Sequence, residues 1–132
     1  MIVIDSSAVV AVILAEPEAG VFMSAMARSR GAISAMNVFE SEVVIMSRKG
    51  AVHAREVRNL LTFHGVEIVP FDDAQAAAAF ATYARFGKGH HPAKLNLCDC
   101  AAYALAKSLD APLLYKGGDF GLTDVTSAVT PG

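Results

Sequence analysis

At 132 residues the chain fits one compact domain, taken as residues 1–132, that can bury a sizeable core without disulfide or metal staples. Its 54% hydrophobic and 18% charged residues exclude a disordered chain and point to a globular α/β protein with extensive helix-on-sheet burial. A net charge of −2 excludes an overall basic field of the kind that marks nucleic-acid binders, so any such contact must come from a local basic strip.

The chain opens on Ile2-Val3-Ile4, an unalternating apolar run of the kind found in strands buried on both faces of a parallel sheet. Asp5 ends it, at the carboxyl edge where open α/β sheets bind their ligands. The same Asp5 also suits the N-cap of the next helix, and position alone leaves both roles open. Ala8 to Ala15 follows an acid rather than a basic leader and is too short to cross a bilayer, so it reads as a buried helix. Pro17 is expected to open a second helix with Val21, Phe22, Ala25 and Met26 on one face. Phe22, Met23 and Met26 serve equally as core or as a partner-binding surface.

Ala32 to Ala35 is a short strand candidate, and Asn37 to Glu40 has the spacing of a capping box that starts a helix running to Gly50. In that helix Phe39, Val43, Val44 and Met46 are expected inward, with Glu42, Ser47, Arg48 and Lys49 solvated. Ala51 to His64 forms a helix closed by Gly65, Val66 to Val69 a strand ended by Pro70, and Asp72 or Asp73 starts an alanine-rich helix through Phe86. The loop from Gly87 to Leu95 is the longest and most basic. Asn96 caps a helix from Leu97 with Asp99 at its third position, then Pro112 to Tyr115 is a buried strand and Asp124 to Val129 an edge strand. The alternation predicts a three-layer α/β/α domain with a mostly parallel, roughly five-stranded sheet flanked by helices and joined by right-handed crossovers.

Cys98 and Cys100, one residue apart with no second pair, fit neither a zinc knuckle nor a disulfide framework, which suits a reduced, cytoplasmic protein. Four acids share a positional logic: Asp5 and Asp119 follow strands, and Glu40 and Asp99 sit in first turns of helices. Each alone is explained by capping and the helix dipole. Converging on one sheet edge they would repel, and a cation that prefers hard oxygens, Mg²⁺ or Mn²⁺, would relieve that repulsion while activating water against a phosphodiester.

Ile2-Val3-Ile4-Asp5-Ser6-Ser7-Ala8, Asn37-Val38-Phe39-Glu40, Leu95 to Ala104 around Asp99, and Leu113-Leu114-Tyr115-Lys116-Gly117-Gly118-Asp119-Phe120 together resemble PIN-domain ribonucleases, specifically the VapC toxins of type II toxin–antitoxin pairs. The resemblance spans essentially the whole chain. It implies a PIN-like fold and a metal-dependent endoribonuclease, with Asp5, Glu40, Asp99 and Asp119 catalytic and Asp5, Asp99 and Asp119 holding Mg²⁺ or Mn²⁺. It implies further a homodimer, inhibition by a cognate VapB-like antitoxin, and a structured RNA substrate such as transfer RNA. Many members carry another Asp two residues before the Asp-Phe pair, where this chain has Gly117, so the fourth acid rests on Asp119, with Asp124 as substitute.

Within that frame Glu40 orients or deprotonates water, while Ser6 and Asn96 support the acid shell. Lys88, His90, His91, Lys94 and Lys116 are candidate RNA contacts; as a simple polar loop the first four need no such role. Two other readings are a catalytically weak PIN-fold binding module, suggested by Gly117, and a receiver-type phosphoacceptor domain, suggested by strand-end acids and Lys116. A receiver needs an acid pair after its first strand, and here Asp5 stands alone before Ser6-Ser7. A dinucleotide site lacks its glycine fingerprint.

Overall fold

The computed structural model describes residues 1–129, so the last residues of the expected 1–132 domain lie outside it. Among the described residues four parallel strands form the sheet: β1 (Ile2–Ile4), β2 (Gly31–Ser34), β3 (Glu67–Val69) and β4 (Leu113–Leu114), in the order β3-β2-β1-β4. Among the described residues six α-helices cover it: α1 (Ser6–Ile13), α2 (Ala19–Arg28), α3 (Ala35–Lys49), α4 (Ala51–Phe63), α5 (Asp73–Phe86) and α6 (Leu97–Ser108). No helix among the described residues is long and apolar enough to cross a membrane.

The strand alternation builds two cores. Ile2 and Ile4 join Ile33 and Leu114 on one face, packed against α1, α2, α3 and α4 through residues such as Val9, Phe22, Ile45 and Leu61. Val3, Ala32 and Leu113 face the other way, onto α5 and α6 through Ala79, Phe86, Tyr103 and Leu105. Val3 and Ile4 are fully buried, and each such side chain stabilises the fold by about 1.5–3 kcal/mol. The central strand is therefore apolar on both faces, as its unalternating sequence requires.

The expected fifth strand is reduced to one bridge. Ser127 pairs with Leu113, through the Leu113 N–H to Thr126 O (2.8 Å) and the Ala128 N–H to Leu113 O (2.9 Å). β4 itself is only two residues long, so little ladder exists for another strand to extend.

Three local expectations are corrected. Pro17 lies in a turn, where Ala19 N–H donates to Glu16 O, and α2 begins two residues later. α3 begins at Ala35 with Ser34 as its N-cap, accepting from the Met36 N–H at 3.2 Å, so Asn37 is an interior helical residue and Glu40 sits in the second turn. Its buried face is consequently Asn37, Val38, Ser41 and Ile45, whereas Phe39, Val43 and Met46 face solvent. On α2, Phe22 and Met26 belong to the core and only Met23 of the three partner candidates is exposed.

Candidate active site

In this strand order the direction of winding reverses between β1 and β4, and a crevice outside the carboxyl ends of the strands at that point is where doubly wound sheets bind ligands. Asp5 leaves β1 there, its backbone N–H donating to Leu114 O at 2.9 Å. The crevice is a cavity of about 450 Å³ into which Asp5, Glu40 and Asp99 converge from the end of β1, the second turn of α3 and the first turn of α6. Lys116 and Gly117 border it from the turn after β4.

Capping and site-building are not alternatives here. Asp5 is the N-cap of α1, but only Oδ2 does the work, accepting from the Ser7 N–H at 3.0 Å and the Ser7 hydroxyl at 2.6 Å. Asp5 Oδ1 is buried without a hydrogen-bond partner. Asp99 likewise spends Oδ2 on the Asn96 N–H at 3.0 Å, while the Asn96 side chain accepts from the Asp99 N–H at 2.9 Å, completing the expected capping box. Each acid satisfies its helix with one oxygen.

The site is electrostatically strained without a cation. Burial, then the Asp99 and Glu40 charges, hold the Asp5 carboxyl at about 7 despite the two Ser7 bonds. Burial, then Glu40 and Asp119, raise Asp99 to about 6 against the opposing Asn96 bond. Burial, then the Glu40 carboxylate beside it, push the Cys98 thiol up to about 12, so it stays a neutral packing group.

An orphaned buried oxygen and mutually repelling carboxylates are the donor chemistry that Mg²⁺ or Mn²⁺ fits, through oxygens that capping leaves over. Among the described residues, no three acid, histidine or cysteine groups yet stand close enough to ligate one ion together. Asp119 is exposed in the turn after β4 and does not line the cavity, although Asp99 feels its charge. Asp124 is engaged elsewhere, with the Tyr103 hydroxyl, Lys107 and Arg85.

The remaining candidates divide. Ser6 borders the cavity, but its hydroxyl donates to Asn37 O at 3.2 Å and accepts from Asn37 Nδ2 at 3.1 Å. Lys116 is present, with its ammonium 3.2 Å from Glu16 and 3.4 Å from Glu18. Lys88, His90, His91 and Lys94 do not reach the cavity. In their loop the Lys88 carbonyl accepts from the Tyr83 hydroxyl, His90 stands edge-on to Tyr83, and His91 accepts the Ala93 N–H while packing on Phe86.

Two residues matter more than their sequence context indicates. Ser7, beside the chosen Ser6, holds Asp5; a hydroxyl two places after an N-cap acid is the signal that could have found it. Asn37 is fully buried, and its amide spans α1 and α6 by donating to Ser6 Oγ and to Cys98 O at 3.0 Å.

A family model described as PIN domain matches residues 2–125. Ribonuclease VapC of Mycolicibacterium smegmatis is 44% identical over 95% of this chain and 98% of its own. The chain belongs to the PIN-domain family of VapC ribonucleases. Ribonuclease VapC30 of Mycobacterium tuberculosis is 40% identical over 98% of this PIN domain and 99% of its own length. The crystal structure of Mycobacterium tuberculosis VapC20, described as a sarcin–ricin loop cleaving toxin, superposes with a TM-score of 0.82 at 15% identity, covering 99% of this chain and 100% of that one. That likeness shows the shared PIN fold. The receiver reading falls with it, since a receiver's sheet follows the order 2-1-3-4-5 and this one is β3-β2-β1-β4.

Proposed function

We propose that this PIN domain is a metal-dependent endoribonuclease, the toxin of a bacterial toxin–antitoxin pair held in check by a cognate VapB-like antitoxin. The observation that carries the reading is the convergence of Asp5, Glu40 and Asp99 on one crevice, in a member of the VapC ribonuclease family.

Asp5 and Asp99 would hold Mg²⁺ or Mn²⁺ with the oxygens that capping leaves over, and Asp119 would complete the shell directly or through water. When bound, the ion supplies Lewis-acid charge to a phosphodiester and lowers the pKa of water. Glu40 orients the attacking water and accepts its proton as the new P–O bond forms, while the departing ribose oxygen leaves as the alcohol with a proton from solvent. Ser7 fixes Asp5 from the side away from Oδ1, and Asn96 fixes Asp99 at the start of α6. Asn37 sets the spacing among the elements that carry the three acids, because its amide joins α1 to α6 from within α3.

The same reading includes a cytoplasmic location, a structured RNA such as transfer RNA as substrate, and a homodimer. Exposed apolar side chains, Phe39, Val43 and Met46 on α3 and Phe80 on α5, support association with a second copy or an antitoxin.

The deciding experiment incubates antitoxin-free protein with total RNA in Mg²⁺ or Mn²⁺, beside a chelated sample and an Asp99→Asn variant. Cleavage confined to the metal-supplemented unaltered protein is expected. Cutting that survives chelation or the substitution overturns the mechanism, and no cutting together with unimpaired growth of an expressing bacterium replaces it by the binding-module reading.

A further inference from the structure

The cavity is lined by four carboxylates, Asp5, Glu16, Glu40 and Asp99, and by two cations, Lys116 and Arg48. An RNA strand entering it meets net negative charge, so a cation must be available for its phosphates. Lys116 is committed to Glu16 and Glu18. Among the described residues Arg48 takes part in no ion pair, the paired cations being Arg58, Arg85, Lys107 and Lys116.

We propose that Arg48 is the anion-binding arm of this cavity and holds an RNA phosphate flanking the one that is cut. The proposal rests on the ribonuclease reading. Glu40, Val44 and Arg48 all line the cavity and recur every fourth residue, making one ridge of α3. Eight residues of helix separate the Cα atoms of Glu40 and Arg48 by about 12 Å, so Arg48 is anchored about two turns along α3 from the reacting phosphate beside Glu40. A long helical side chain leans toward the helix N-terminus, which directs Arg48 back over Val44 toward the acids along the cavity wall. Guanidinium offers a planar fork that pairs with two phosphate oxygens at once.

The ordinary explanation is that Arg48 complements the negative end of the α3 dipole. Lys49 has the same charge in the same turn but does not line the cavity, which makes it the matched control. Cleavage of a labelled RNA hairpin is measured for the unaltered protein, Arg48→Gln, Arg48→Lys and Lys49→Gln. Binding of the same hairpin is measured as a function of salt in an Asp99→Asn background.

Arg48→Gln is expected to raise KM and Kd roughly tenfold with kcat within about twofold, and to flatten the log Kd against log salt slope by about 0.7–0.9, one phosphate contact. Arg48→Lys restores part of the affinity, and Lys49→Gln shifts KM and the slope far less. Equal effects of the Arg48→Gln and Lys49→Gln variants, or a fall in kcat with KM unchanged, overturn the role of Arg48 while the ribonuclease reading stands. An unaltered protein that cuts no RNA overturns that reading and this proposal together.

Discussion

The Ser7 hydroxyl lies 2.6 Å from Asp5 Oδ2 and accepts the Lys116 backbone N–H at 2.9 Å. A hydroxyl has one proton to give, so its proton goes to the carboxylate and its lone pair to the turn after β4. The result ties the carboxyl edges of β1 and β4 together around one oxygen of Asp5, leaving Oδ1 buried and unpaired.

That arrangement dictates a pH dependence. In the metal-free protein the folded Asp5 carboxyl binds its proton up to about 7, against an ordinary 3.8, so the folded state holds more protons than the unfolded chain in between. Stability therefore falls as pH rises across that window and levels off above it. Asp5→Asn removes the Asp5 share of this fall, leaves the share of Asp99, which is raised to about 6, and in chelator is expected to be more stable than the unaltered protein at about pH 8 by a few kcal/mol, on the order of the linkage energy. Near pH 4 the two should converge. Urea melts across this range check it, and an Asn variant less stable than the parent at pH 8 would refute the strained-acid account.

Asn37→Ala deletes both amide bonds and leaves the Ser6 hydroxyl and the Cys98 carbonyl short of a partner in a buried site. A loss of about 2–3 kcal/mol is expected from chemical denaturation. Cleavage at saturating RNA should fall by more than the unfolded fraction explains, since α1 and α6 no longer share an anchor. Retained kcat in the folded fraction would show that the amide only stabilises.

Gly117 has φ 98°, a backbone that glycine adopts freely, and a Cβ built there meets nothing within 4 Å. Gly117→Asp should fold, at a cost of roughly 1–3 kcal/mol in backbone strain. It places a carboxylate at the cavity rim and is expected to tighten Mn²⁺ binding severalfold by calorimetric titration. If its affinity is unchanged while Asp119→Asn weakens binding, Asp119 is the fourth acid in this chain.

Glu16 and Glu18 hold the Lys116 ammonium and shift its pKa upward, the Glu16 bond most. Neutralising both, as Glu16→Gln with Glu18→Gln, removes two charges that repel RNA and releases one that attracts it. Filter binding at low salt should show severalfold tighter RNA, and adding Lys116→Ala should reverse part of that gain. Unchanged affinity in the double variant would mean that Lys116 faces no phosphate.

Much of this PIN domain is determined by signals between chain neighbours. The apolar Ile2-Val3-Ile4 run, the Asn96 and Asp99 capping box and the Gly87 stop after α5 all act within one strand or one turn, where sequence is sufficient. At α3 the local expectation failed: Ser34, three residues before the expected cap Asn37, is the N-cap, and Asn37 is a buried residue inside the helix. The rest depends on contacts between distant segments. Ser7 meets Lys116 across 109 residues, and Asn37 meets Cys98 across 61. The basic loop packs His90 on Tyr83 and His91 on Phe86, outside the cavity, whereas Arg48, exposed as expected, also borders the cavity that the acids line. Which polar groups share a crevice is set by how helices seat on the two faces of the sheet, and that geometry leaves no periodic trace along the chain.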